Sequence, residues 1–147
     1  MLKSGDAAPA FRGRTTEGKE VSLEDFRGKK LVLYFYPKDD TPGCTAEACS
    51  LRDHISEIRA KGAEVLGVST DTVESHRKFT DKHRLNFPLL ADPDKTIAKA
   101  YGAWGGLGKL LGMAQRKTFI VDEKGQLTRV FDKVNARHHA DEVLEAL

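Results

Sequence analysis

Leu31-Val32-Leu33-Tyr34-Phe35-Tyr36 is an unbroken apolar run. A strand with one face in water alternates apolar and polar residues, whereas a strand covered on both faces does not. The run therefore asks for a sheet with layers on both sides, which is an α/β architecture. The segment after it agrees. Thr41-Pro42 has the composition of a helix start, with Thr41 as N-cap and Pro42 at the first helical position. From there Cys44, Ala48, Leu51, Ile55 and Ile58 recur at helical spacing and predict one helix down to Gly62.

The pattern continues. Glu64 to Ser69 reads as the next strand, and Asp71 with Glu74 has the spacing of a capping box opening a helix to about Arg84. Strand, helix, strand, helix implies parallel strands joined by right-handed crossovers. Phe87-Pro88-Leu89-Leu90 predicts a short strand and Thr96 to Tyr101 a short helix. Residues Gly102 to Met113, with Gly102, Gly105, Gly106, Gly108 and Gly112, read as a mobile loop. Thr118 to Asp122 and Leu127 to Phe131 flank the turn Glu123-Lys124-Gly125 and predict a hairpin. Ala140, Val143, Leu144 and Leu147 give a last helix its apolar face, and Phe11 to Arg14 with Lys19 to Val21 form a small N-terminal hairpin. With no repeat and no linker, residues 1–147 are expected to form a single domain.

Apolar residues at 39% and charged residues at 31% fit a soluble globular protein. A net charge of +2, with both signs interspersed, argues against a nucleic-acid partner. The N-terminus has no apolar stretch of the signal-peptide kind, and Leu31 to Tyr36 is too short to cross a bilayer. The expected location is the cytoplasm.

In a reducing compartment two cysteines make no disulfide scaffold, and a close pair points to redox chemistry. Cys44 is the third residue of the expected helix. First-turn amides lack intrahelical acceptors and the helix dipole is positive there, so an anionic, nucleophilic sulfur is favoured. Cys44 also lies on the apolar stripe, which turns it inward. A lone cysteine on such a stripe is ordinarily a small core residue, and Thr41, Pro37 and Pro42 alone are cap and turn residues. Glu47 alone would be a favourable charge near the dipole. A second cysteine at Cys49, together with the helix start, moves Cys44 toward function. On these residues alone a peroxidase, a thiol–disulfide oxidoreductase, a redox sensor and a metal-binding module all remain open. Against a metal centre, Cys44, Cys49 and His54 are one ligand short of a zinc site, so none is expected. His54, His138 and His139 are expected to stand outside the chemistry, the last two solvated at the start of the final helix.

The string Phe35-Tyr36-Pro37-Lys38-Asp39-Asp40-Thr41-Pro42-Gly43-Cys44-Thr45, with Glu47 after it, resembles the peroxiredoxins, and among them the bacterioferritin comigratory protein or peroxiredoxin Q subgroup. The resemblance extends over nearly the whole chain, through Gly5-Asp6-Ala7-Ala8-Pro9, Asp92-Pro93, Tyr101-Gly102 and Arg116-Lys117-Thr118-Phe119-Ile120-Val121-Asp122. It implies a thioredoxin-like fold, a central mixed β-sheet flanked by helices with a small N-terminal hairpin. It implies thiol-dependent reduction of hydrogen peroxide and organic hydroperoxides without a cofactor. Cys44 would be the peroxidatic cysteine, passing through a sulfenic acid, and Cys49 the resolving cysteine that closes an intramolecular disulfide. Thr41 would hold the peroxide, Pro37 shield the sulfenate, Arg116 supply positive charge and Glu47 orient an arginine. Thioredoxin or a similar dithiol protein would be the reductant, and the chain a monomer or weak dimer. A thioredoxin-type oxidoreductase fits less well. That family uses Cys-x-x-Cys and a proline before the late strand, and here four residues separate the cysteines and Lys117 precedes Thr118. The family pattern is departed from in Ala103 to Gly112, where relatives carry more polar sequence.

Overall fold

The computed structural model describes residues 1–147. Its elements run β1 (Arg12–Arg14), β2 (Glu20–Ser22), β3 (Lys30–Phe35), α1 (Pro42–Asp53), α2 (Ile55–Ala60), β4 (Ala63–Ser69), α3 (Val73–His83) and β5 (Leu89–Ala91). They continue α4 (Thr96–Ala100), α5 (Gly106–Leu110), β6 (Lys117–Val121), β7 (Leu127–Phe131) and α6 (His139–Ala146). β1 and β2 form an antiparallel hairpin. The main sheet has the order β5-β4-β3-β6-β7, with β3, β4 and β5 parallel and β6 and β7 antiparallel to their neighbours. This is the mixed sheet that the resemblance implies.

The central strand explains the apolar run. Leu31, Leu33 and Phe35 join one core cluster with Leu66, Val68, Leu90, Phe119 and the ring of Tyr101. Val32, Tyr34 and Tyr36 point the other way, into a second cluster with Cys44, Ala48, Leu51, Ile58, Phe79 and Val143. Successive side chains of a strand alternate between faces, so from Leu31 to Phe35 β3 feeds both cores and the run stays apolar. Cys44 belongs to the core covered by α1, α3 and α6.

Four local expectations need correction. The helix after Thr41 is not continuous to Gly62: it breaks at His54, whose backbone is at φ −117°, ψ 13°. The His54 ring donates from Nδ1 to the Ser50 carbonyl at 2.9 Å, and the His54 amide turns to Leu51 instead, so the ladder tightens and α1 ends. The cap of α3 is Thr72, whose Oγ1 accepts from the Ser75 amide; the Asp71 carboxylate accepts instead from Asp39 N–H and Ser69 Oγ. The short strand is Leu89–Ala91, starting two residues later than Phe87-Pro88-Leu89-Leu90 predicted, since Pro88 has no N–H to give a ladder. The glycine-rich segment contains α5. Local backbone bonds close it, and Gly108 permits the close return of the chain, for a Cβ there would lie 2.9 Å from the Met113 carbonyl oxygen.

Candidate active site

Cys44 is the third residue of α1, after Pro42 at the first helical position. Thr41 holds the extended cap conformation, but its hydroxyl does not cap the helix; it donates to the Lys38 carbonyl at 2.9 Å. No side chain therefore occupies the first-turn amides of α1, and they remain directed at whatever anion sits by Cys44.

The loop between β3 and α1 is fixed from below by Asp39. This carboxylate accepts from Tyr36 Oη at 2.5 Å and Ser75 Oγ at 2.8 Å, and lies 2.7 Å from His76 Nδ1. His76 Nε2 donates to the Leu90 carbonyl at 3.1 Å. Pro37 and Thr41 are thus carried on a loop tied to α3 and β5. Asp39 stands within the family string, where the resemblance implies no role for it. His76 carried no local signal, because its partner lies 37 positions away.

β6 pairs antiparallel with β3, with Lys117 opposite Phe35, and this delivers Arg116 to the start of α1. Arg116 Nη2 donates to Cys44 Sγ at 3.2 Å, and Nη1 to Glu47 Oε1 at 2.5 Å. Gly43 leaves room for the guanidinium: a Cβ there would sit 3.2 Å from Nη2. Cys44 is 1% exposed, and the Glu47 side chain is wholly buried. Burial pushes the Glu47 carboxyl up to about 7, against the opposing pull of Arg116. Burial also works against the charge of Arg116, but Glu47 and Cys44 outweigh it and hold the guanidinium above its ordinary value. Glu47 Oε1 thus accepts from one arm of the guanidinium whose other arm reaches Cys44.

His139 is not solvated. It is fully buried between Thr118 and Glu142, with Nε2 2.8 Å from Thr118 Oγ1 and Nδ1 2.9 Å from Glu142 Oε1. His138 is the exposed member of the pair. His54 bonds only its own helix. Among the expected site residues, Cys44, Glu47 and Arg116 are joined by hydrogen bonds, and Pro37 and Thr41 lie on the loop leading into Cys44. Cys49 stands apart, half-buried on α1, and both thiols are free. A cleft lined by Leu23, Phe26, Leu31 and Val121 lies away from Cys44.

The AhpC/TSA family matches over residues 4–130. Peroxiredoxin Bcp of Escherichia coli is 42% identical over 149 aligned positions, covering 99% of this chain and 96% of that protein. The crystal structure of peroxidoxin BcpB from Mycobacterium tuberculosis superposes with a TM-score of 0.89 at 34% identity, over 99% of this chain and 96% of that one. The bacterioferritin comigratory protein of Xanthomonas campestris, whose trapped intermediate and ligand complexes bear on its alkyl peroxide reduction activity, superposes at 0.88 with 34% identity, over 96% of each chain. With this fold, this cysteine and this arginine, the chain belongs to the AhpC/TSA family, as a peroxiredoxin of the bacterioferritin comigratory protein type.

Proposed function

We propose that this thiol-dependent peroxidase works through Cys44 as the peroxidatic residue, on hydrogen peroxide and organic hydroperoxides. The observation that carries the assignment is the Arg116 guanidinium held between Glu47 and Cys44 Sγ. The Cys44 thiolate attacks the terminal oxygen of the hydroperoxide. The S–O bond forms, the O–O bond breaks, and the departing alkoxide or hydroxide takes a proton and leaves as alcohol or water. Charge moves from sulfur to the leaving oxygen, and the Arg116 fork and first-turn amides are donors suited to both ends of that transfer. Thr41 spends its hydroxyl proton on Lys38, which leaves its oxygen lone pairs to accept from the peroxide O–H. Pro37 covers the sulfenate from the loop side.

Cys49 then attacks the Cys44 sulfenate sulfur, water departs, and the resulting disulfide is reduced by thioredoxin or another dithiol protein. This cycle suits a reducing compartment such as the cytoplasm, and no helix is long and apolar enough to cross a membrane. A monomer or weak dimer is sufficient, since the residues named come from one chain. A thioredoxin-coupled peroxide assay on wild type and Cys44→Ser tests the assignment. Turnover is expected to vanish in the serine variant with the fold intact, and retained turnover refutes the role of Cys44.

A further inference from the structure

Glu47 has two oxygens in unequal surroundings. Oε1 accepts from Arg116, whereas Oε2 is buried without a hydrogen-bond partner. The group facing Oε2 is the His139 ring, with Nε2 at 3.7 Å, too long for a hydrogen bond and close enough to feel the charge. The far side of that ring is settled by Glu142. Its Oε1 accepts from the Asn135 amide at 3.1 Å and from His139 Nδ1 at 2.9 Å, so Nδ1 carries a proton. Nε2 of the neutral ring is then an acceptor, and the Thr118 hydroxyl donates to it at 2.8 Å. Burial lowers the pKa of His139, which keeps the ring neutral.

When Glu47 takes up a proton, the oxygen free to carry it is Oε2, which faces the His139 ring. Around this pair stand Arg116 at the head of β6, Cys44 on α1, Tyr34 on β3 with its buried Oη unpartnered, and Glu142 on α6. We propose that His139, backed by Glu142, is a positioning residue for the peroxidase reaction: the ring that Glu142 fixes against Oε2 sets how readily Glu47 ionises, and so how firmly Arg116 is held against Cys44. An ionised Glu47 grips the guanidinium by a charge-assisted hydrogen bond, and a protonated one by a neutral acceptor of roughly half the strength. The inference rests on the reading of Cys44 and Arg116 given above.

Infrared titration of the reduced protein reads the pair without turnover. The band to follow is the carboxylic C=O stretch that Glu47→Gln removes, with a wild-type midpoint near 7. Glu142→Gln takes away a negative charge that raises Glu47, so the midpoint is expected to fall by at least about half a pH unit. In His139→Gln the same Glu142→Gln change is expected to move the midpoint by less than half as much. The acid limb of Cys44 oxidation, followed by rapid quench and mass spectrometry, is expected to move with the band in Glu142→Gln. A midpoint unmoved by Glu142→Gln, or a shift fully retained in the His139→Gln background, would overturn the proposal. So would an oxidation limb that stays in place while the band moves. Where His139→Gln fails to fold, His139→Asn carries the same comparison. Loss of the Cys44 assignment would appear in the peroxide assay and leave the infrared result readable, so the two failures are distinguishable.

Discussion

Arg116 Nη2 lies 3.2 Å from Cys44 Sγ across 72 residues of chain. The contact exists because β6 runs antiparallel beside β3 and starts next to the end of β3 that leads into α1. Arg116 also holds the buried carboxylate of Glu47, so removing it has two consequences of different kinds.

Arg116→Ala should slow oxidation of Cys44 by peroxide about 100-fold or more, the usual loss when one donor to a developing charge is deleted. The same change strands Glu47, which is wholly buried, so stability falls as well. The loss of stability should be larger at pH 8 than at pH 6, because Glu47 escapes the penalty by taking up a proton. Stopped-flow oxidation and urea unfolding at both pH values check this. An unchanged oxidation rate would reduce Arg116 to a partner of Glu47.

Gly43→Ala separates activity from stability in the opposite sense. The new methyl would stand 3.2 Å from Arg116 Nη2, and a guanidinium anchored on Glu47 can yield only by leaving Sγ. Oxidation should slow about 3- to 10-fold for a displacement of a few tenths of an ångström, while helix propensity gains up to about 1 kcal/mol. Equal rates in the two proteins would show that the fork has slack.

Glu47 gives folding a pH dependence of stated sign. Its carboxyl rises from an ordinary 4.5 to about 7 on folding, chiefly by burial. The folded state therefore binds the proton more tightly. The contribution is fully present below about 4.5 and is lost as pH rises through about 7, reaching of order 3 kcal/mol. His139, lowered by burial, acts oppositely and costs stability as pH falls below its ordinary 6.5. Unfolding of wild type against Glu47→Gln at pH 5, 6, 7 and 8 isolates the Glu47 part, which should appear as a difference growing between pH 5 and 8. A pH-independent difference would mean that Glu47 stays ionised throughout.

Oxidation of the Cys44–Cys49 pair should unwind α1. Both cysteines lie within the unbroken helix Pro42–Asp53. Five residues of helix rise about 7.5 Å and leave the Cα atoms roughly 8–9 Å apart, beyond the ~7 Å that a disulfide spans. The break at His54 provides a boundary beyond which α2 can stay in place. Hydrogen exchange should therefore rise over residues 41–50 on oxidation and change little over Ile55–Ala60. Equal protection in both redox states, with the intramolecular bridge confirmed by mass spectrometry, would refute the unwinding. An intermolecular Cys44 bridge would remove Cys49 from the resolving role.

Much of this molecule is written in short-range patterns. The strand of β3, the apolar stripe of α1 with Cys44 on it, and the hairpin of β6 and β7 were all legible from the sequence. In each case neighbours a few positions apart carry the signal, and periodicities of 2 and 3.6 report burial directly. The resemblance to peroxiredoxins added Arg116 and Glu47, which no periodicity distinguishes from an ordinary charged residue. Caps were read less well. Thr41, Asp71 and Thr72 all have the chemistry to cap, and the choice among them fell to distant partners such as the Asp39 amide.

The electrostatic state of the site comes from packing between distant segments. Local sequence placed His139 beside the exposed His138 at a helix start and could not tell the two apart. The packing of α6 against α1 and β6 buries one and leaves the other in water. Glu47 likewise reads as a surface charge until β6 and α6 close over it, and then burial raises it while Arg116 pulls it down. The sequence by itself determined which side chains could do thiol chemistry and on which elements they ride. Their charges depend on desolvation and on groups tens of residues away, and those are properties of the folded chain alone.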